Sequence, residues 1–495
     1  MLAAVVATVL VATACSHDRP DQRLDWGACA AGPGDTTGTE LDQAGAQCAT
    51  VTVPLDYRRP DGAKIEIAIS RVRGSDTEHR IGSMLLNDGG PGAPSLGMPL
   101  VVKPAMGAIG ERFDLIGVDV RGVGRSAPVD CDWPTGAFSV FSAGATRTSF
   151  DRMVIRQRDL ADKCIDKYGE LLAHITTHNI ARDLDAVREA LGENTISYLG
   201  YSHGTYLGST YGQLYPDRLD RVVLDGVVDP DEYSPRLLLP ALAENQRALE
   251  HWAEWVARRD AEYHLGATPA DVVALVTRVI ATAAEKPLRI GEFELDDTLA
   301  PFVLVGAVAD DRDEARSELA AQVALLRRAA DGAAVQPTPA MEQALLFATT
   351  GAESAYGSGQ AAILCGDGGA SRDIEQYWTD VQRVRAEYPL FGPVVANVNP
   401  CAFWPPSTGA PATRIDRDVP AMLLGATGDP RTRHAAAVAV RARMSSSRLV
   451  TIENSDRHGI YGDYGNECAN RHVNEYLATG TLPAHDLTCP SHVGS

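Results

Sequence analysis

Positive charge is scarce in this chain. Its 45 Lys and Arg stand against 65 Asp and Glu, giving a formal charge of −20. A nucleic acid or an anionic membrane surface needs a basic face to displace counterions, so neither is expected as a partner. Cys-x-x-Cys is also absent, which argues against a zinc ribbon or a thioredoxin-like redox pair. No internal repeat is visible. What remains is an ordinary globular balance: 495 residues, 45% hydrophobic and 22% charged. That is long enough for one large core and at least one further unit.

The first segment reads as an address rather than a fold. Residues 1–14 are uncharged and mostly apolar. They fall short of the roughly 20 residues a spanning helix needs and suit the apolar part of an export signal over 1–15. Ala12-Thr13-Ala14-Cys15 resembles the end of a bacterial lipoprotein signal. Cys15 is therefore a candidate lipidation site, and the outer face of the cell membrane the expected location, with the lipid as the sole membrane contact. No Lys or Arg precedes the apolar run and Ala12 stands where Leu is usual, so a plain secretory signal is the alternative. Without Cys15, eight cysteines remain, an even number suited to four disulfides outside the cytoplasm. Sequence leaves their connectivity open. They fall into neighbouring couples, and Cys29–Cys48, Cys131–Cys164, Cys365–Cys401 and Cys468–Cys489 are the expected bridges.

Residues 16–47 include a Gly-rich stretch expected to be flexible. Short strand signatures then begin: 51–54, 65–69, 83–87 and 113–119 are β-branched or apolar runs closed by turn residues. Residues 179–191 have helical spacing, with Ile180, Leu184, Val187 and Leu191 on one face and Gly192 as a stop. A strand at 195–199, a helix at 205–215 and a strand at 221–225 follow. Such alternation predicts βαβ units and a mainly parallel sheet flanked by helices over 48–230. Between 231 and 418, Ala/Leu/Arg/Glu-rich stretches such as 237–259 and 310–330 predict a helical cap. Strand signatures return within 419–495, at 419–426 and 448–452.

Gly200-Tyr201-Ser202-His203-Gly204 lies between a predicted strand and a predicted helix, the context in which Gly-x-Ser-x-Gly carries meaning. A serine there takes strained backbone angles, and its flanking glycines remove side chains that would clash. Its hydroxyl stands at a helix N-terminus, whose dipole favours developing negative charge. Ser202 is the candidate nucleophile. A serine hydroxyl needs a base, and the base needs an orienting acid. In the chain order Ser, acid, His, the candidates are Asp429, just after one strand, and His458, just after the next. Asp225 also ends a strand and is the rival acid. His434, His472 and His485 are less well placed and read as surface residues. His174 and His178 have the i, i+4 spacing of metal ligands but no third ligand nearby, so neither a metal nor a cofactor is expected. Asn87-Asp88-Gly89-Gly90-Pro91-Gly92 follows a strand with a nearly bare backbone. The Gly90 and His203 N–H groups are the candidate oxyanion donors.

Several of these motifs carry a resemblance. Val51-Thr52-Val53-Pro54-Leu55-Asp56-Tyr57, Gly89-Gly90-Pro91-Gly92 and Asp119-Val120-Arg121-Gly122-Val123-Gly124-Arg125-Ser126 resemble the secreted tripeptidyl aminopeptidases of actinobacteria, relatives of proline iminopeptidase. Gly200-Tyr201-Ser202-His203-Gly204-Thr205-Tyr206-Leu207-Gly208, Gly428-Asp429-Pro430-Arg431-Thr432 and the Cys-rich end from Cys468 to Cys489 do so too. The likeness spans about Cys48 to Cys489. It implies an α/β-hydrolase fold with the cap inserted before the acid-bearing strand. It further implies release of short peptides, tripeptides above all, from free N-termini through an acyl-enzyme. Its implied roles are Ser202 as nucleophile, His458 as base and then acid, Asp429 as orienter, and Thr432 as a partner of Asp429.

Asp88 stands where that family has Pro, His203 where Tyr is common and Arg433 where Pro is common. The first two bear on substrate preference more than on catalysis. Holding a substrate ammonium group suits carboxylates in the cap. Glu244, Glu250 and Glu353 are candidates, although each reads more simply as a solvated helix residue. A carboxylesterase or lipase would use the same triad. A non-catalytic substrate-binding lipoprotein is the alternative of another class.

Overall fold

A computed structural model describes residues 24–139, 141–406, 411–462 and 465–491. The export-signal segment and Cys15 lie outside the described residues. In chain order the strands are β1 (Gln47–Pro54), β2 (Lys64–Val72), β3 (Gly82–Asn87), β4 (Phe113–Val118), β5 (Ile196–Tyr201) and β6 (Leu219–Asp225). There follow β7 (Leu288–Ile290), β8 (Phe293–Leu295), β9 (Met422–Ala426), β10 (Arg448–Glu453) and β11 (Leu487–Pro490).

Among the described residues, nine strands form one sheet in the order β1-β2-β4-β3-β5-β6-β9-β10-β11. β2 pairs antiparallel with β1 and with β4, and every other pairing in the sheet is parallel. The burial pattern explains the arrangement. β1 alternates buried and exposed positions from Val51 to Val53, as an edge strand with one wet face does. β9 is buried throughout, and β3, β4 and β5 nearly so, because helices cover both faces. One face packs on the helices Met98–Met106 and Glu467–Thr479, and the other on Thr177–Ala190, His203–Leu214 and His434–Arg443. Helix Thr177–Ala190 starts on the Thr176 hydroxyl, which accepts from Asn179 N at 3.2 Å, and the chain turns at Gly192 with φ +73°.

After β6 the chain leaves the sheet and returns only at β9. The excursion is mainly helical, with Leu242–Ala257, Pro269–Glu285, Asp313–Ala330, Pro339–Thr349, Ser354–Gly366 and Ile374–Glu387 as its main helices. It also holds the small β7–β8 hairpin, too short for periodicity to reveal. Its core includes Leu249, Trp252, Trp255, Val276 and Leu319, but also Phe141, Phe150 and Met153 from before β5. The cap therefore recruits apolar residues from the segment assigned by sequence to the first part of the sheet domain.

The segment 16–47 needs correcting from position 24 onward. Residues Thr36–Gln43 form a helix capped by Asp35, whose side chain accepts from Gly38 N at 3.0 Å. Leu41 is fully buried, Trp26 lies under Arg71 with 3.7 Å from guanidinium carbon to ring centroid, and Asp42 accepts from Cys29 N at 2.6 Å. The abundant glycines fill the turns around this short helix.

Disulfides join Cys29 to Cys48, Cys131 to Cys164, Cys365 to Cys401 and Cys468 to Cys489. Cys365–Cys401 ties the end of helix Ser354–Gly366 to the chain 36 residues on. Closing a loop of that length stabilises a fold by about 3–4 kcal/mol, chiefly by constraining the unfolded chain. The double variant Cys365→Ser/Cys401→Ser is expected to lose about that much, read as a lower midpoint in urea unfolding.

Candidate active site

Ser202 occupies the turn from β5 into helix His203–Leu214, with φ +53° and ψ −121°. An L-residue pays for such angles with strain of order 1–3 kcal/mol and holds them only where its surroundings enforce them. Here Ser202 N donates to Asp225 O at 2.8 Å, while Thr205 N and Oγ1 donate to Ser202 O at 2.8 and 2.6 Å. The flanking glycines are steric necessities. A Cβ on Gly200 would stand 2.6 Å from Gly204 O, and one on Gly204 would stand 2.8 Å from Asn87 Oδ1.

The loop after β3 lies against this turn. A Cβ on Gly89 would meet Tyr201 O at 2.3 Å, so the two backbones touch directly. Behind the loop, Asp88 N donates to Ser95 Oγ at 3.1 Å, and Ser95 N donates to the buried Asp119 at 2.7 Å. Asp119 also accepts from Arg125 N at 2.8 Å, and a Cβ on Gly124 would collide with it at 2.0 Å. The motif from Asp119 to Ser126 therefore braces the glycine loop. Gly90 and His203 line one cavity of about 390 Å³ together with Ser202 and His458. His203 begins its helix, so its N–H has no acceptor within the first turn.

Burial pushes the His203 imidazole down to about 3, leaving it neutral. Its Nε2 lies 3.2 Å from the Tyr233 hydroxyl and 3.5 Å from that of Thr177. Both hydroxyls donate to Asp367, at 2.7 and 2.6 Å, so the ring proton must sit on Nε2. Burial pushes the Asp367 carboxyl up to about 6. This chain joins the cap, through Tyr233 and Asp367, to the residue beside Ser202.

His458 Nδ1 lies 2.9 and 3.2 Å from the two oxygens of Asp429, which is 1% exposed. Asp429 also accepts from Thr432 Oγ1 at 2.8 Å, Arg431 N at 2.8 Å and Thr432 N at 3.1 Å. Asp225 is differently employed. Its Oδ2 accepts from Ile460 N at 2.8 Å and Tyr461 N at 2.6 Å, anchoring the loop that carries His458, while Oδ1 is buried without a donor. Burial pushes the Asp225 carboxyl up to about 6, against those two amides and nearby His458, which pull it down.

The cap grips the same loop, which sequence reasoning missed. His458 N donates to Ala309 O at 3.2 Å, and Asp456 N to Asp311 at 2.9 Å. Arg457 reaches Asp310 at 2.5 Å, and His251 Nδ1 lies 3.0 Å from both Asp456 oxygens. The Asp456 hydrogen bond raises the His251 pKa above the ordinary value.

The remaining candidates are dispersed. Glu244 pairs with Arg247, Glu250 accepts from Gln246, and Glu353 is exposed; none of them lines the cavity. His434 faces Thr451 and His472 faces Glu475. His174 is buried and its carbonyl accepts from Arg121 and Asn179. Among the described residues, the one His/Cys/Asp/Glu cluster tight enough for a metal is Cys468, His472 and Cys489, and its two sulfurs form a disulfide. Asp88 and Arg433 line the cavity, the latter with Nε 3.0 Å from Glu232.

Residues 82–295 match the alpha/beta hydrolase fold family, and residues 388–489 match the TAP-like protein family. The chain is 35% identical over 464 residues to a tripeptidyl aminopeptidase of Streptomyces lividans, covering 90% of this chain and 84% of that one. It is 28% identical to serine protease Hip1 of Mycobacterium tuberculosis, covering 90% and 87%. Carboxylesterase B of Mycobacterium tuberculosis is 30% identical, covering 94% and 89%.

The Asp225 carboxyl yields a stability test. An unfolded aspartate titrates near 3.8 and the folded one near 6, so the folded state binds this proton more tightly. The group's contribution is full below about pH 4, declines as pH rises towards 6 and stays lost above. Asp225→Asn cannot ionise and keeps an acceptor for Ile460 and Tyr461. Relative to the parent it is expected to gain about 2–3 kcal/mol between pH 4 and pH 7, measured by urea unfolding at both values. A difference independent of pH would refute the assignment.

Proposed function

The chain belongs to the tripeptidyl aminopeptidase family of α/β-hydrolases, and from that membership we propose an exported serine exopeptidase that releases tripeptides from free N-termini with Ser202, His458 and Asp429 as its triad. One observation carries the reading: a serine held in strained geometry shares a cavity with a histidine whose Nδ1 meets a buried carboxylate. Asp429 fixes the proton of His458 on Nδ1, which turns a basic Nε2 towards substrate. Ser202 Oγ then attacks the scissile carbonyl as His458 takes its proton. The developing oxyanion meets the N–H groups of Gly90 and His203 at a helix N-terminus. His458 returns the proton to the leaving amine, and water attacks the acyl-enzyme by the same route. Thr432 stabilises the Asp429 carboxylate and holds its orientation.

Four disulfides support an oxidising compartment outside the cytoplasm, and the apolar residues 1–14 support export with Cys15 as a lipid anchor. No helix among the described residues is long and apolar enough to cross a membrane. The likeness to carboxylesterase B favours esterase activity as a second reading.

Parallel turnover of a free tripeptide anilide, its N-acetylated form and an acyl ester separates the two. An exopeptidase turns over the free peptide and rejects the acetylated one; turnover of the ester alone would overturn the proposal. Asp429→Asn is expected to lower kcat about 10⁴-fold, because the imidazole loses its orienting partner and tautomer. Asp225→Asn is expected to stay within about tenfold of the parent, since its work is done by an oxygen that Asn retains. Steady-state kinetics on the free tripeptide anilide checks both, and the reverse ranking would make Asp225 the acid.

A further inference from the structure

A polar side chain in the cavity wall has an acceptor that no protein group satisfies. Gln157 comes from the helix Arg147–Tyr168, is 1% exposed and lines the same cavity as Ser202 and His458. Its Oε1 is buried and meets no donor. Among the described residues lining the cavity, Gln157 alone has a buried side-chain polar atom in that state. Neighbouring amides in the wall are engaged within the protein. Asn397 donates to Phe141 O and accepts from Val398 N, both at 2.9 Å, and Asn399 donates to Pro235 O and accepts from Cys401 N, both at 3.1 Å. Of the wall carboxylates Asp88, Asp229 and Glu232, the last two face Arg443 and Arg433.

A buried amide oxygen without a donor destabilises a fold, and such a group in a ligand cavity points to a donor that arrives with the ligand. The donor that distinguishes an exopeptidase substrate is its free amino terminus. An amide oxygen can accept from that ammonium group without adding a second buried charge, and the bond is charge-assisted. We propose that Gln157 accepts a hydrogen bond from the free α-ammonium group of the peptide substrate and so selects for an unblocked N-terminus. This deepens, and rests on, the peptidase function above. Glu244, Glu250 and Glu353, which lie off the cavity wall, have no part in it.

Tri-alanine p-nitroanilide and its des-amino analogue, propionyl-dialanine p-nitroanilide, differ by that ammonium group alone. In the full-length enzyme, Gln157→Leu is expected to raise KM for the first by about tenfold or more. It should leave kcat within about threefold and KM for the des-amino analogue unchanged, with the difference read as a coupling between residue and substrate group. Gln157→Met should behave alike. Each variant removes an unsatisfied buried oxygen, so its melting temperature should equal or exceed that of the parent. An unchanged KM for tri-alanine anilide in a folded variant, or an equal rise for both substrates, overturns the assignment. If the parent enzyme turned over neither anilide, the peptidase function beneath the proposal would fall first.

Discussion

The backbone of the turn at Ser202 lies in direct contact with the backbone of the loop after β3, and the site's geometry depends on that approach. Gly89 touches Tyr201 O, and Gly204 sits over Asn87, each at a distance that a Cβ would make impossible. This contact holds Ser202 in a conformation an L-residue avoids and brings Gly90 and His203 to one cavity. The buried Asp119, through Ser95, fixes the loop from behind. The glycines of the two motifs are thus one steric requirement seen from both sides.

The histidine half of the site is assembled from three directions. Asp429 and Thr432, beyond β9, orient the ring. Asp225, at the end of β6, holds the following turn through Ile460 and Tyr461. The cap closes the arrangement, with Ala309, Asp310, Asp311 and His251 meeting residues 456–458. On the serine side, Tyr233 and Asp367 reach His203. The cap is therefore bonded to both halves of the site.

Much of this was legible in the sequence because the signals are local. The Gly-x-Ser-x-Gly turn, the glycine loop and strands followed by helices are patterns of a few residues each, and they pointed to the sheet and to Ser202, Gly90, His203 and His458, which line one cavity. The resemblance favoured Asp429 over Asp225, but the contacts that separate them were not legible. The two aspartates end neighbouring strands, and only the fold shows which carboxylate faces the ring and which faces two amides. The cap contacts with the His458 loop join positions about 150–200 residues apart, and Gln157 reaches the cavity from a helix that periodicity had not flagged. The helix Thr36–Gln43 was hidden by its length and by surrounding glycines, with Leu41 as its one large buried side chain.

Attack on substrate by Ser202 is tested most directly by peptide mapping with mass spectrometry after reaction with a fluorophosphonate. One adduct per chain, on Ser202, is expected, and none in Ser202→Ala. An adduct on another residue, or labelling that persists in the variant, would contradict it.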